Sequence, residues 1–504
     1  MELEALKKLI NGSDLRGIAV ETEEHEANLT SKEVKKIGAG FLRWLTEIKK
    51  IEKQTMRIAI GYDSRITGPS LKEALTAVFI KVGVTVLDAG LATTPAMFMA
   101  TQFSETNADA GIMITASHLP YFHNGLKFFT KTGGADHDDI ETIIEFSDSK
   151  PQELKLGSVE EVPLIAYYSS DIVNKIQEGT NLKQPLKDLR IVLDAGNGAG
   201  GFFASNVLKQ LGADTTGSQF LDPDGYFPNH VPNPDNAEAM ASIQKAVVEN
   251  EADLGIIFDT DVDRAAVVDQ SGEVINRNNL IALLAQIVLK DEPGATIVTN
   301  SPTTSHLKTF IEELGGKQYR YISGYRNVIN KAIELNNEGI STPLAIETSG
   351  HAAFKENYFL DDGAYVVAKI LKMLPELNEQ GKDISDLIKE LKQPAEAQEA
   401  RFPIQEENYQ EYGQKVIDEM KIFINETFGF EIEPDNEEGI RANVSESYGS
   451  GWFILRLSLH EPLLVLQVEN DEKGANYLVF EKLEEFLKDY GSLELGKLYQ
   501  FLER

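Results

Sequence analysis

Short β-branched runs, glycine-bearing turns and helical stretches succeed one another along most of the chain. RIAIGYD (57–63) leads through a helix over SLKEALTAVFIKVG (70–83) to VTVLDAG (84–90), and RIVLDAGNGAGG (190–201) leads to a helix over ASNVLKQLGAD (204–214). A helix near ASIQKAVVENE (241–251) precedes the strand DLGIIFD (253–259). ATIVTN (295–300) precedes the helix TTSHLKTFIEELGG (303–316), and PLAIET (343–348) follows another helix. Strands alternating with helices of about 10–15 residues predict α/β units on largely parallel or mixed sheets. The last region differs. GWFILRLS (451–458) and PLLVLQVE (462–469) are adjacent strand-like runs, and EKLEEFLKDYGS (481–492) is a helix, as in an α+β domain with antiparallel strands. Polar stretches near 176–188, 290–294 and 392–403 mark the joints. The pattern predicts three mixed-sheet α/β domains, 1–180, 181–291 and 292–395, and a C-terminal α+β domain, 396–504.

Length agrees with several domains, since 504 residues are too many for one hydrophobic core. No stretch approaches the roughly 20 uninterrupted apolar residues of a membrane helix. The opening MELEALKKLINGSD reads as a short amphipathic helix, not a signal or transit peptide. A cytoplasmic protein with no membrane partner is therefore expected. The chain has no cysteine, which removes disulfides, thiol nucleophiles and Cys-ligated zinc together. Asp and Glu number 80 against 48 Lys and Arg, a formal charge of −32. Such a surface repels nucleic acid. It also repels phosphorylated metabolites over about 8 Å, the Debye length at physiological salt. A sugar-phosphate substrate would need a local gathering of Arg, Lys or metal.

Four constellations offer chemistry. In GIMITASHLPYFHNGLKFF (111–129) an apolar strand runs into Thr115-Ala116-Ser117-His118, with Lys127 downstream. Ser117 there is either a nucleophile or phosphoryl carrier, or a hydroxyl that satisfies a turn, as Thr115 could be. In DLGIIFDTDVDR (253–264) Asp259, Asp261 and Asp263 alternate; extended backbone would put all three carboxylates on one face. A divalent cation with a taste for hard oxygen, such as magnesium, would relieve their repulsion, and Arg264 could meet a phosphate. An EF-hand would need Gly and Glu where Arg264 and Gln270 stand, so it fails. An aspartyl-nucleophile phosphatase of the haloacid-dehalogenase type stays open. In AIETSGHAAFKENYFLDDGAY (345–365) Glu347, Ser349 and His351 alternate and could bond sugar hydroxyls, or form an ordinary polar turn. In GWFILRLSLHEP (451–462) Arg456, Ser458 and His460 alternate at a strand end, which makes either an anion site or an exposed strand face. Gly196–Gly201 also fits the G-x-G-x-x-G dinucleotide pattern, with Asp214 near the place of a ribose-binding acid. Asp194 directly before the glycines fits that reading poorly, and a close-packed glycine turn is preferred.

Taken together, these motifs resemble the α-D-phosphohexomutase family over essentially the whole chain. TASH with a downstream N-G-x-K, and an aspartate triad followed by Arg, are its specific marks. The resemblance implies four domains around a central cleft, and a phosphosugar mutase that interconverts hexose 1-phosphate and hexose 6-phosphate through a bisphosphorylated intermediate. Glucose or mannose is favoured. It implies that Ser117 carries a phosphoryl group and, with Asp259, Asp261 and Asp263, binds one Mg²⁺ per chain. Lys127 and Arg264 would flank the transferring group, with His118 beside Ser117 and His351 as an acid/base group. SDLRG (13–17) brings in Arg16. Asp63 and Arg65 of GYDSR would be structural or supporting. Glu347 and Ser349 match the sugar loop, and Arg456, Ser458 and His460 the loop for the non-reacting phosphate. A hexose 1,6-bisphosphate activator and a monomer or homodimer are also implied.

The sequence departs from the family at named places. Leu119 stands where Asn usually follows Ser-His, and Thr260 and Val262 replace glycines between the aspartates. His460 replaces a small hydroxyl residue. Ile322 stands where a Lys is common, and Arg326 could supply that charge. Thr348 matches neither common choice at the middle of the sugar loop. A phosphoglucosamine mutase, or a homologue that binds phosphosugars without turning them over, are the alternatives.

Overall fold

The computed structural model describes residues 2–52, 55–149, 156–458 and 461–503. They form two compact units, one built from Met1–Asn276 with Ser349–Asp386, the other from Arg277–Thr348 with Leu387–Arg504.

The first unit holds two mixed sheets. The larger runs in the order Ile10–Asn11, Asp14–Ile18, His123–Thr130, Ala110–Ile114, Arg57–Tyr62, Thr85–Leu91, Val159–Glu161. Its first strands pair antiparallel, and the parallel part begins where Ala110–Ile114 meets Arg57–Tyr62. Helix Ser31–Glu47 starts at Thr30, whose hydroxyl and Glu33 make a reciprocal cap. Its apolar stripe, including Ile37, Phe41 and Leu45, joins Leu75, Phe79, Ile112 and Phe128 in one core. The smaller sheet runs Val274–Ile275, Ala265–Asp269, Leu254–Phe258, Ile191–Asp194, with only the last pair parallel. A short antiparallel pair, Ala352–Phe354 with Leu360–Asp361, belongs to the same unit.

The second unit holds the parallel strands Lys317–Tyr321, Thr296–Asn300 and Leu344–Ile346. It also holds a five-stranded antiparallel sheet in the order Glu396–Pro403, Leu463–Asn470, Gly451–Leu457, Ile440–Val444, Phe430–Ile432. Helices Tyr409–Glu426 and Ala475–Leu487 pack their apolar residues on that sheet. A buried ionic knot joins the two layers. Glu433 accepts from Arg441 Nε at 2.6 Å and from Arg320, and Arg441 stacks on Trp452 at 3.6 Å.

Two local expectations change. The helix expected over 204–214 is one wide π turn, Ala204–Leu208, after which the chain reverses at Gly212 with φ +98°. The last long helix begins at Ala475, after Gly474 in the left-handed region, and ends at Leu487. Glu396 accepts the backbone N–H groups of Gly474 and Asn476, which fixes that early start. Among the described residues, no helix is long and apolar enough to cross a membrane.

Candidate active site

Strand Ala110–Ile114 is buried throughout and delivers the chain to Thr115 and Ser117. Thr115 satisfies the turn. Its hydroxyl accepts the Ser117 N–H at 2.9 Å and donates to Asp63 Oδ2 at 2.6 Å. Ser117 itself sits at φ +50°, which is uncommon for a residue with a side chain, so the surroundings must hold it there. Arg65, fully buried, does so. Its guanidinium donates to the carbonyls of Pro120 at 2.9 Å, His123 at 3.0 Å, Leu119 at 2.7 Å and Ser117. Leu119 therefore contributes its backbone to the turn.

The Ser117 hydroxyl faces the aspartate loop. Its Oγ lies 3.3 Å from Asp259 Oδ2, 3.3 Å from His118 Nδ1 and 3.5 Å from Arg264 Nη2. Arg264 Nη2 also donates to His118 Nδ1 at 2.8 Å, so that nitrogen is an acceptor and the ring is neutral. Burial, with Arg264 and Arg16 nearby, pushes the His118 pKa down to about 3. Arg264 is tied to Asp259 through Nε and its backbone N–H, each at 3.2 Å.

The three carboxylates converge by a turn, not by extended alternation. Strand Leu254–Phe258 ends before Asp259, the Val262 N–H reaches back to Asp259 O at 3.3 Å, and Val262 takes φ +65°. One oxygen from each of Asp259, Asp261 and Asp263 then lies within 4.8 Å of the others. Lys127 Nζ donates to Asp263 Oδ2 at 2.6 Å and stands 3.4 Å from Asp261 Oδ2. Burial and the two neighbouring carboxylates raise Asp259, whereas Asp263 is held low against burial by Lys127 and His351. Asp261 Oδ1 and Asp263 Oδ1 are buried and have no hydrogen-bond partner among the described residues. Three clustered carboxylates with two unsatisfied oxygens fit a hard divalent cation.

The structure shows supports that the sequence reading did not single out. Thr94 donates its hydroxyl to Asp261, and its N–H to the Asp261 carbonyl at 2.9 Å; the only trace in sequence is the helix start Thr93–Thr94–Pro95. Asp361 accepts from His351 Nδ1 and from the Ala352 N–H at 3.0 Å. Burial opposes a charge on His351, but Asp361 raises its pKa. His351 also bridges the backbone of Arg264, which brings it to the aspartate loop. Arg16 is bound to Asp14 at 3.0 Å, on a strand that pairs with the one carrying Lys127. Ser349 lies in the turn before His351. The glycines at 196–201 form no dinucleotide cradle, because the space is already filled. A Cβ on Gly198 would lie 2.6 Å from Thr260 O, and one on Gly201 would lie 2.0 Å from Leu221 O.

In the second unit, Glu347 accepts the Gly324 N–H at 2.6 Å, just before the helix whose first turn holds Arg326. Thr348 exchanges two 3.0 Å hydrogen bonds with Asn300. Arg456 Nη1 stands 3.7 Å from Glu438, which also accepts from Ser323 Oγ at 2.7 Å. The Ser458 N–H donates to Leu463 O at 2.9 Å. His460 lies outside the described residues.

The chain matches three phosphoglucomutase/phosphomannomutase α/β/α domains: I over residues 7–153, II over 166–272 and III over 276–394. It belongs to the phosphoglucomutase/phosphomannomutase family. It is 32% identical to a phosphoglucomutase of Neisseria meningitidis over 473 residues, covering 93% of this chain and 94% of that one. It is 31% identical to a phosphomannomutase/phosphoglucomutase of Pseudomonas putida over 422 residues, covering 82% and 84%. A solved structure of a phosphoglucomutase/phosphomannomutase family protein from Burkholderia thailandensis aligns with TM-score 0.79 and 27% identity, over 96% of this chain and 98% of that one. Family membership sets aside the aspartyl-phosphatase reading.

Proposed function

We propose that this phosphohexomutase interconverts hexose 1-phosphate and hexose 6-phosphate through phosphoserine 117, with glucose or mannose as the hexose. The observation that supports this most is the Ser117 hydroxyl 3.3 Å from Asp259, with Arg264 beside it and Lys127 on the neighbouring Asp263 carboxylate. Phosphoryl transfer depends on positioning and charge neutralisation, and these groups supply both.

In the forward half-reaction the bond from Ser117 Oγ to phosphorus breaks as the free sugar hydroxyl forms its own bond to phosphorus. The hydroxyl proton passes to a base, a role we assign to His351 as oriented by Asp361. The resulting bisphosphate turns over, its other sugar-oxygen bond to phosphorus breaks as Ser117 Oγ bonds that phosphorus, and the proton held by His351 passes to the freed sugar oxygen. Arg264 and Lys127 offset the charge of the group in transit, with neutral His118 beside the oxygen it leaves and the charge of Arg16 acting on His118. Asp259, Asp261 and Asp263, with the Ser117 phosphate, would hold one Mg²⁺, which when bound neutralises phosphoryl charge. Glu347 and Ser349 would receive the sugar hydroxyls. Arg326, Arg456, Ser458 and His460 would receive the non-reacting phosphate. Hexose 1,6-bisphosphate would prime the enzyme. We read the protein as cytoplasmic, a monomer or homodimer, and too acidic for nucleic acid.

A coupled assay on glucose 1-phosphate and mannose 1-phosphate tests this reading. Wild type should form the 6-phosphate with almost no inorganic phosphate, and Ser117→Ala should form none. Steady phosphate release by wild type, or full activity in Ser117→Ala, would refute it.

A further inference from the structure

Behind the aspartate loop lies a buried ion pair that the transfer chemistry does not use. Asp194, fully buried at the end of strand Ile191–Asp194, faces His230, whose Nε2 is 3.0 Å from both carboxylate oxygens. His230 Nδ1 meets the Val231 carbonyl at 3.0 Å. Acceptors on both ring nitrogens make the ring a double donor. The remaining capacity of Asp194 is filled by the Gly196 N–H at 2.8 Å and Gln219 Nε2 at 2.7 Å.

This pair sets a turn with little freedom. Gly196 and Asn197 both lie in the left-handed region, at φ +52° and +60°. A Cβ on Gly196 would meet Pro232 at 2.7 Å and the His230 ring at 3.2 Å. Asn197 is tied to the Asp222 carbonyl and to Asn229, from the segment that delivers His230. Two residues on, the Ala199 N–H donates to Thr260 O at 2.8 Å, and Gly198 is pressed against the Thr260 backbone. Thr260 lies between Asp259 and Asp261.

We propose that Asp194 and His230 are a positioning pair for the metal loop: through the glycine turn they fix Thr260, and with it the spacing of the Asp259 and Asp261 carboxylates. The proposal rests on reading the aspartate triad as the Mg²⁺ site. Groups that orient metal ligands from behind typically govern affinity by about 10- to 100-fold.

The test is calorimetric titration of MgCl₂ into the full-length wild type, His230→Ala, His230→Gln and Asp261→Asn. Folding is checked by circular dichroism, and KM is measured at saturating Mg²⁺. Wild type should bind, and Asp261→Asn should not. His230→Ala should bind about 10- to 100-fold more weakly with KM for the sugar phosphate unchanged. His230→Gln, which keeps a donor toward Asp194, should recover most of the affinity. Wild-type affinity in a folded His230→Ala overturns this proposal alone. No binding by wild type, or undiminished binding by Asp261→Asn, overturns the metal-loop reading and this proposal with it. Should the alanine variant fail to fold, Asp194→Asn is judged by the same criterion.

Discussion

The guanidinium of Arg65 donates to the backbone carbonyl of Ser117, so the strained backbone of that serine is held by a side chain 52 residues upstream. Three further carbonyls of the same loop converge on that guanidinium. Only a planar fork of five N–H donors can serve them together. Arg65→Lys should therefore lower kcat about 100-fold or more through misplacement of Ser117, and destabilise the chain by about 1–3 kcal/mol, because it keeps the charge but leaves buried carbonyls without a donor. Steady-state kinetics and urea unfolding check this, and a Lys variant of wild-type activity would contradict it.

Buried carboxylates that face one another without a cation are a burden on folding. Asp261 has one unsatisfied oxygen, and after burial and Asp263 its charge helps to raise Asp259. Asp261→Asn should raise the melting temperature in EDTA. It should abolish the further rise that Mg²⁺ gives wild type by mass action. Activity should fall on the order of 100-fold or more, as for loss of one preorganised charge-stabilising group. Melting curves with and without Mg²⁺ separate the two effects.

Arg456 lies on strand Gly451–Leu457, with Glu438 3.7 Å from its guanidinium and its buried Nε without a hydrogen-bond partner among the described residues. That leaves capacity for a phosphate. Arg456→Ala should raise KM for hexose phosphates tenfold to a hundredfold, about 1.5–3 kcal/mol for a lost charge-assisted hydrogen bond, with a smaller change in kcat. An equal loss in kcat and kcat/KM would place Arg456 in the transfer step instead.

Much of the fold was legible in the sequence because polar loops interrupt apolar strands. GIMITASH and LGIIFDTDVD each show a buried strand giving way to polar residues, and both strands appear as read. The shape of the loops was not legible. Alternating aspartates suggested an extended face, but Val262 turns left-handed and the carboxylates meet in a curl. Nothing local announces that a β-branched residue will accept that conformation; packing against Gly200 and the Gly363 N–H bond to Val262 O impose it. Long-range partners were likewise hidden. Thr94 lies 167 positions from Asp261, and no periodicity links them. The glycines at 196–201 were legible as a tight turn, but nothing in the sequence says that Gly198 makes room for the Thr260 backbone and Gly201 for the Leu221 carbonyl.

The Asp194–His230 pair also sets a pH dependence. Burial works against the imidazolium, but the hydrogen bond and charge of Asp194 outweigh it and raise the His230 pKa above its ordinary 6.5. A raised folded pKa means the folded chain holds the proton more tightly. Its stabilisation is fully present below about pH 6.5 and is lost as pH rises through the folded value. Urea unfolding at pH 6 and pH 9 should show wild type losing more stability than His230→Gln across that interval. Parallel losses would contradict the assignment.

The central claim is that Ser117 carries the phosphoryl group, and the most direct measurement is the intact mass of the protein. Purified wild type and Ser117→Ala are each incubated with glucose 1,6-bisphosphate and Mg²⁺, and weighed before and after. The account predicts one phosphoryl group on wild type, lost again on adding excess hexose monophosphate, and none on Ser117→Ala. A wild-type chain that binds sugar phosphates yet never gains a phosphoryl group, or a Ser117→Ala chain that does, would contradict it.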